Sequence, residues 1–142
     1  MGADVAVNFI GSFSDVPLAT EAANAHVANG ADVMTGTAQM VVGPVGVADQ
    51  NDVLWFGTQS NQTELADSVV VSSQVYKWEV VLGDLIDQIK DGDLGGESYL
   101  LTLENGGLVI EYNDAFDLPA DVRQAGDDTV QGIIDGSIST GL

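Results

Sequence analysis

Residues 32–58, DVMTGTAQMVVGPVGVADQNDVLWFGT, decide the fold. Asp32–Thr35 and Asp52–Thr58 are short runs of β-branched and aromatic residues with the length and punctuation of buried strands. Between them Met40–Gln50 has the length of a short helix, with Gly43 and Pro44 near its start. A strand, a short helix and a second strand in this rhythm make a parallel βαβ unit with a right-handed crossover.

Reading outward, the rhythm continues. Asp4–Ile10 (DVAVNFI) is short and β-branched and stops at Gly11-Ser12, which predicts a buried strand. Asp15 can cap the helix that follows, with Pro17 in its first turn. Ala19, Ala22, Ala23, His26 and Val27 then recur at helical spacing, and Gly30 supplies a left-handed stop. Ser68–Ser72 (SVVVS) is a further strand. Trp78, Val81, Leu82, Leu85, Ile86 and Ile89 form a single apolar stripe, the clearest helix in the chain, closed by Gly92. Ser98–Leu103 and Leu108–Tyr112 read as strands. A last helix starts near Pro119 and is expected to turn Val122, Val130, Ile133 and Ile134 inward before Gly136.

The predicted fold class is therefore α/β: a Rossmann-like three-layer lobe with a mainly parallel sheet. Its strands are apolar on both faces because helices cover both. Ligands of such sheets bind beyond the carboxyl ends of the strands. Those ends are Gly11–Asp15, Thr35–Met40, Thr58–Gln62 and Ser72–Tyr76, all rich in Gly, polar or aromatic residues, and all are expected along one rim.

The chain has 142 residues, 22 of them Asp or Glu against three Lys or Arg, for a net charge of −19. Hydrophobic residues make up 45%, enough for a packed core, so the acidity is not that of a disordered tail. Lys77, Lys90 and Arg123 make no basic patch, which excludes unaided binding to nucleic acid or to an anionic membrane. Carboxylates spread along the whole chain with almost no lysine point to a halophilic source, in which molar salt shortens the Debye length to about 3 Å and screens their repulsion. The plainer alternative is an ordinary acidic protein. There is no cysteine, and so no disulfide, thiolate metal site or cysteine nucleophile. No apolar run approaches the ~20 residues of a membrane span, and the opening residues lack the basic and apolar regions of a signal peptide.

Motifs for chemistry are few. No Gly-x-Gly-x-x-Gly follows the first strand. Gly43-Pro44-Val45-Gly46 lacks the lysine of a phosphate loop and puts a proline among the required donors. His26, the only histidine, sits on an apolar helix face and reads as a packing residue better than as a base. The stretch from Asp91 to Glu97 lacks the twelve-residue spacing of a calcium loop and reads as a solvated turn. Asn61-Gln62-Thr63 is a glycosylation triplet of a kind common by chance. Trp55, in mid-strand, reads as core. The rim remains, with the aromatic faces of Phe13 and Tyr76 and the hydrogen-bonding groups of Thr37, Gln39, Gln59, Asn61 and Ser73. Aromatics and neutral polar groups without a nucleophile or base suit binding a small polar molecule better than transforming it. No cofactor is called for, and the chain is not expected to be an enzyme.

The order of certain segments adds a resemblance. Gly11-Ser12-Phe13-Ser14-Asp15, Glu21-Ala22-Ala23, Gly30-Ala31-Asp32-Val33-Met34, Leu54-Trp55-Phe56-Gly57-Thr58 and Ser72-Ser73-Gln74-Val75 follow one another as in the second lobe of the basic-membrane-protein family. Asn105-Gly106-Gly107-Leu108, Leu118-Pro119-Ala120-Asp121-Val122 and Gly132-Ile133-Ile134-Asp135-Gly136-Ser137-Ile138 continue the series. These are substrate-binding lipoproteins of ABC transporters whose typical members take up purine nucleosides. The resemblance implies half of a type I periplasmic-binding fold, in which two Rossmann-like lobes close over a ligand. It makes residues 1–103 the ligand-binding lobe and 104–142 a terminal strand and helix that pack on the lobe or cross from it. It also implies the missing amino-terminal lobe and ABC permease subunits as partners, a solute such as a nucleoside, and a full-length protein lipid-anchored at the extracellular face, the present segment itself lacking signal and anchor.

Carried over by residue, Phe13 matches an aromatic that stacks on a flat base. Thr37 and Gln39 lie where many members have a glycine-rich loop. Gln59 stands in place of an aspartate used on ribose hydroxyls, Asn61 replaces a neighbouring aspartate, and Tyr76 takes a position often held by lysine or tryptophan. These departures keep the site's location and weaken the case for a nucleoside. The rival reading is a free-standing structural or interaction domain that keeps the lobe fold without transport.

Overall fold

The computed structural model describes residues 2–141. Its helices are α1 (Val16–Ala28), α2 (Val42–Gln50), α3 (Glu79–Lys90) and α4 (Ala120–Ile134), and its strands are β1 (Val33–Thr35), β2 (Leu54–Gly57), β3 (Val70–Tyr76) and β4 (Leu108–Tyr112). The strands form one sheet in the order β1-β2-β3-β4. β1 pairs parallel to β2 and β2 parallel to β3, with an irregularity in register at Trp55/Phe56. β3 and β4 run antiparallel: Asn113 N donates to Val71 O at one end, and Lys77 N donates to Gly107 O at the other. The sheet is thus mainly parallel and the class is α/β, as the periodicity implies.

The chain divides into two compact units, Met1–Gln74 with Glu111–Phe116, and Val75–Ile110 with Asp117–Leu142. The boundary expected from the sequence, between 103 and 104, falls inside the second of these. The chain passes from one unit to the other at 74/75, 110/111 and 116/117.

In the first unit α1 begins as its sequence requires. Asp15 Oδ1 accepts from Leu18 N at 3.0 Å, and Pro17 lies in the first turn. It ends on Gly30, whose φ of +86° lets Gly30 N reach Val27 O and Ala31 N reach His26 O, the paired bonds of a Schellman cap. α1 buries only Ala19 and Ala23, and these small side chains let α2 approach closely. Gly43 marks the contact, since a Cβ there would strike Thr20 Oγ1 and lie 3.1 Å from Val16 O. Met34, Val41, Val45, Val47, Val53, Trp55 and Val70 complete the core. Trp55, only 1% exposed, is its largest member.

Two expected strands do not form. Asp4–Ile10 has strand composition but pairs with no other strand, and Val5 and Phe9 are 82% and 96% exposed. A β-branched run becomes a strand only where a neighbour completes its ladder. Ser98–Leu103 gives way to a turn organised by Asn105. The Asn105 Oδ1 accepts from Thr102 N and Gly107 N, both at 2.9 Å, and its Nδ2 donates to Leu100 O. A third difference is one of register: β3 begins and ends later than Ser68–Ser72, so Ser72–Tyr76 is strand and not a loop at a strand tip.

The second unit holds α3 and α4 at the expected places, but the expected inward stripes are not covered. α3 buries no residue, and α4 buries only Gly132. Trp78, Leu82, Ile86 and Ile89 are all exposed, Ile86 to 50%, as are Val122 and Ile134. Amphipathic spacing made these helices, and within this unit no second apolar layer lies over them.

Candidate functional site

The site is built where β1 and β2 end side by side. Thr35 Oγ1 donates to Phe56 O at 2.8 Å, Thr58 Oγ1 donates to Gly36 O at 2.6 Å, and Ala38 N donates to Gln59 Oε1 at 3.1 Å. The first ties the end of β1 to β2, and the other two stitch the loop after β1 to the loop after β2. Both loops are conformationally forced at non-glycine residues. Ala38 has φ +69° with ψ −176°, and Gln59 has φ +72°. Each such residue costs on the order of 1–3 kcal/mol, and such strain clusters at ligand-binding sites. Gly36 is also committed, because a Cβ there would come within 3.1 Å of the Trp55 ring.

Beneath the loops lies a buried polar network. Trp55 Nε1 donates to Gln62 Oε1 at 2.7 Å, Gln62 Nε2 donates to Thr58 O at 2.8 Å, and Gln62 N donates to Ser73 Oγ at 3.1 Å. Ser73, expected to offer a hydrogen bond at the rim, is instead buried and used inside. Gln62 is the structural residue that the loop sequence hides. Read locally it is one more polar loop residue, and the signal that could have found it is that a buried tryptophan N–H needs an acceptor. Asn113 is a second hidden residue. Its Nδ2 donates to Asp67 O and Val70 O, and its Oδ1 accepts from Ala115 N, which ties 111–116 to β3.

The six expected contact residues fall into four groups. Thr37, Gln39 and Gln59 lie on the two stitched loops with exposed side chains. Phe13 lies in the turn before α1, held by Ser12 Oγ accepting from Ser14 N and Asp15 N, and its ring is 75% exposed. The approach of α2 to Val16 and Thr20 at Gly43 brings the first turns of α1 and α2 together, so the Phe13 turn and the Gln39 turn precede adjacent helix starts. Asn61 is in the same unit but engaged at both ends of its amide, donating to Glu111 Oε2 at 2.8 Å and accepting from Thr63 N at 2.9 Å. It borders an open depression of about 570 Å³ with Thr63, Glu64, Tyr112 and Asp114. Tyr76 belongs to the second unit, where its ring meets Trp78 edge-to-face at 5.8 Å.

Charge sets the rim apart. Residues 35–40 and 57–62 contain no Asp, Glu, Lys or Arg, in a chain carrying −19. His26 is half-buried in the last turn of α1, at the opposite end of that helix from Asp15. Two displaced titrations lie in the second unit. Enclosure of its hydroxyl raises the pKa of Tyr99, helped by Glu97, Asp84 and Asp93, and the Ser137 hydroxyl and backbone N–H lower that of Asp135. The arrangement can grip a solute through hydrogen bonds and an aromatic face.

A family model described as ABC transporter substrate-binding protein PnrA-like, Bmp, matches residues 1–139. Three solved structures share the fold over 93% of this chain. One is described as a transcriptional activator of the comK gene from Bacillus halodurans (17% identity, TM-score 0.79, 47% of that chain). The others are ABC transporter solute-binding proteins from Conexibacter woesei (22%, 0.68, 44%) and Aeropyrum pernix (17%, 0.75, 46%). The chain spans less than half the length of these solved relatives. Comparison with curated protein sequences gives no match.

Proposed function

Because the chain belongs to the Bmp family of PnrA-like ABC transporter substrate-binding proteins, we propose that it is the carboxyl-terminal part of a solute receptor and binds a small polar molecule without transforming it. The observation that carries this reading is the uncharged pair of loops stitched across the ends of β1 and β2. Parallel sheets bind ligands at that end. Exposed hydrogen-bonding groups on strained, fixed loops are what a binding face needs, and a base or nucleophile is what catalysis would need in addition. Phe13 supplies the aromatic face. Thr37, Gln39 and Gln59 supply neutral polar groups, and Asn61 belongs to the wider set in the same unit.

In the complete receptor an amino-terminal lobe supplies the facing half of the contacts. Ligand then favours a closed form by its differential affinity for that form, and permease subunits recognise it at the extracellular face. The uncovered apolar stripes of α3 and α4 support the presence of further chain in the natural protein, since exposed apolar faces of this kind mark interaction surfaces. A nucleoside is the first ligand to try, because the family resemblance includes the Phe13 turn.

The test is calorimetric titration of residues 1–142 with nucleosides in molar KCl. Binding weaker than micromolar is expected, because one lobe makes half the contacts, and Phe13→Ala should weaken it about tenfold, within the ~1–3 kcal/mol of a base–aromatic stack. Micromolar binding by this segment unaided would contradict the half-receptor reading. Nucleoside turnover abolished by His26→Ala would contradict the non-catalytic one.

A further inference from the structure

The sheet stops at an open edge in the first unit. β1 is the outermost strand, and among the described residues it pairs with β2 alone. Leu54 N donates to Asp32 O at 3.1 Å, which turns the peptide groups of Asp32 and Met34 toward β2. Alternate residues of a parallel ladder face the other way, so the N–H and C=O of Val33 and Thr35 are directed outward. No other described residue bonds to them there.

Residues 4–10 belong beyond that same edge. α1 packs on α2 at Gly43, so both helices cover one face of the sheet. The connections from residues 4–10 to β1 through α1, and from β1 to β2 through α2, are both right-handed only if they step across the sheet in the same direction. Yet residues 4–10 make no hydrogen bond to another described residue, and Val5, Val7 and Phe9, at alternate positions, are all open to solvent. Between Asn8, Phe9, Ile10 and α1 lies a depression of about 260 Å³. Its helix wall is Leu18, Ala22 and Ala25, an apolar row at i, i+4 and i+7, with Glu21 beside it.

Resting on the receptor reading above, we infer that one β-strand from the remainder of the receptor chain inserts between residues 4–10 and β1. It bonds to Val33 and Thr35 on one side and to residues 4–10 on the other, and it sets alternate apolar side chains against Leu18, Ala22 and Ala25. The solved relatives carry more than half their length outside the shared part, which is ample to supply one strand. A second copy of this chain would instead bring another −19 to the edge. The two parts of the receptor are thus joined within a single sheet.

Hydrogen exchange read by ¹H–¹⁵N spectra in molar KCl tests the insertion. In dilute residues 1–142 the Val33 and Thr35 amides should exchange about tenfold faster than that of Met34, whose N–H faces β2. In the receptor expressed from its whole gene they should slow by about tenfold or more, together with residues 5–9. Val33→Pro removes only an outward N–H, which edge strands tolerate. It should leave the urea midpoint of residues 1–142 unchanged and lower that of the whole receptor. Met34→Pro breaks the ladder to β2 and should lower both.

Val33 and Thr35 amides that stay fast in a whole receptor that binds solute, or a Val33→Pro receptor as stable as its parent, overturn the inserted strand and leave the receptor reading standing. Slow exchange in dilute residues 1–142 gives the slot to residues 4–10 themselves, and slowing that grows with concentration gives it to a second copy. Either result overturns the insertion. A gene that encodes no chain beyond these residues overturns both readings.

Discussion

The two units of this chain follow opposite routes from pattern to packing. The first has weakly amphipathic helices made largely of Ala, Gly and Val, yet it builds a packed core around Trp55 because small residues at Ala19, Ala23 and Gly43 let helix and helix meet. The second has the two most regular apolar stripes in the sequence and buries almost nothing with them. Periodicity forms a helix face, but only a complementary layer converts that face into stability. The first unit contains its layer, and the candidate site stands on it.

That contrast can be broken most forcefully at Trp55. Trp55→Ala removes the largest core side chain and also leaves Gln62 Oε1 without its indole donor. A loss of about 3–5 kcal/mol is expected in urea unfolding at molar salt, and a loss below about 1 kcal/mol would mean that the core of the first unit is elsewhere.

At the intermediate level, Ile86→Ser on α3 should change the stability of this chain by no more than about 0.5 kcal/mol, as exposed substitutions do. It should also reduce binding of an apolar dye to the stripe. A large destabilisation would show that the stripe is covered in solution.

The smallest effect concerns Asp135. The Ser137 hydroxyl and backbone N–H favour the ionised carboxylate, so its folded pKa lies below the ordinary value. Its stabilising contribution is therefore complete above the ordinary carboxylate pKa and fades as pH falls through the lowered one. Ser137→Ala should move the Asp135 carboxyl titration upward, followed by carbon NMR, and an unchanged titration would remove the hydroxyl as the main cause.

Much of the architecture was legible in the sequence because its signals are local. The Asp15 cap, Pro17, Gly30 and Gly136 bound helices where expected, and the βαβ rhythm of residues 32–58 gives the parallel pairing of β1 with β2. What was not legible depends on partners distant in the chain. Asp4–Ile10 has the composition of a strand without the neighbour that would make it one. The α3 stripe carries no information about whether anything covers it. At the site, loop positions were readable as strand ends, which placed Thr37, Gln39 and Gln59 together. The assignment of Gln62 to the Trp55 indole, of Asn61 to Glu111 and of Ser73 to the interior rests on hydrogen bonds across 7, 50 and 11 residues. No local pattern encodes them.

Whether the tips of β1 and β2 with the Phe13 turn form a solute-binding face can be read by mapping amide shifts. In molar KCl, ¹H–¹⁵N spectra of this chain should be recorded with a panel of neutral polar solutes that includes nucleosides. A binding solute should move amides in the Phe13 turn and in the loops after β1 and β2, with Phe13→Ala weakening the effect about tenfold. Shifts confined to α3, α4 or the Asn105 turn, with those three segments silent, would contradict it.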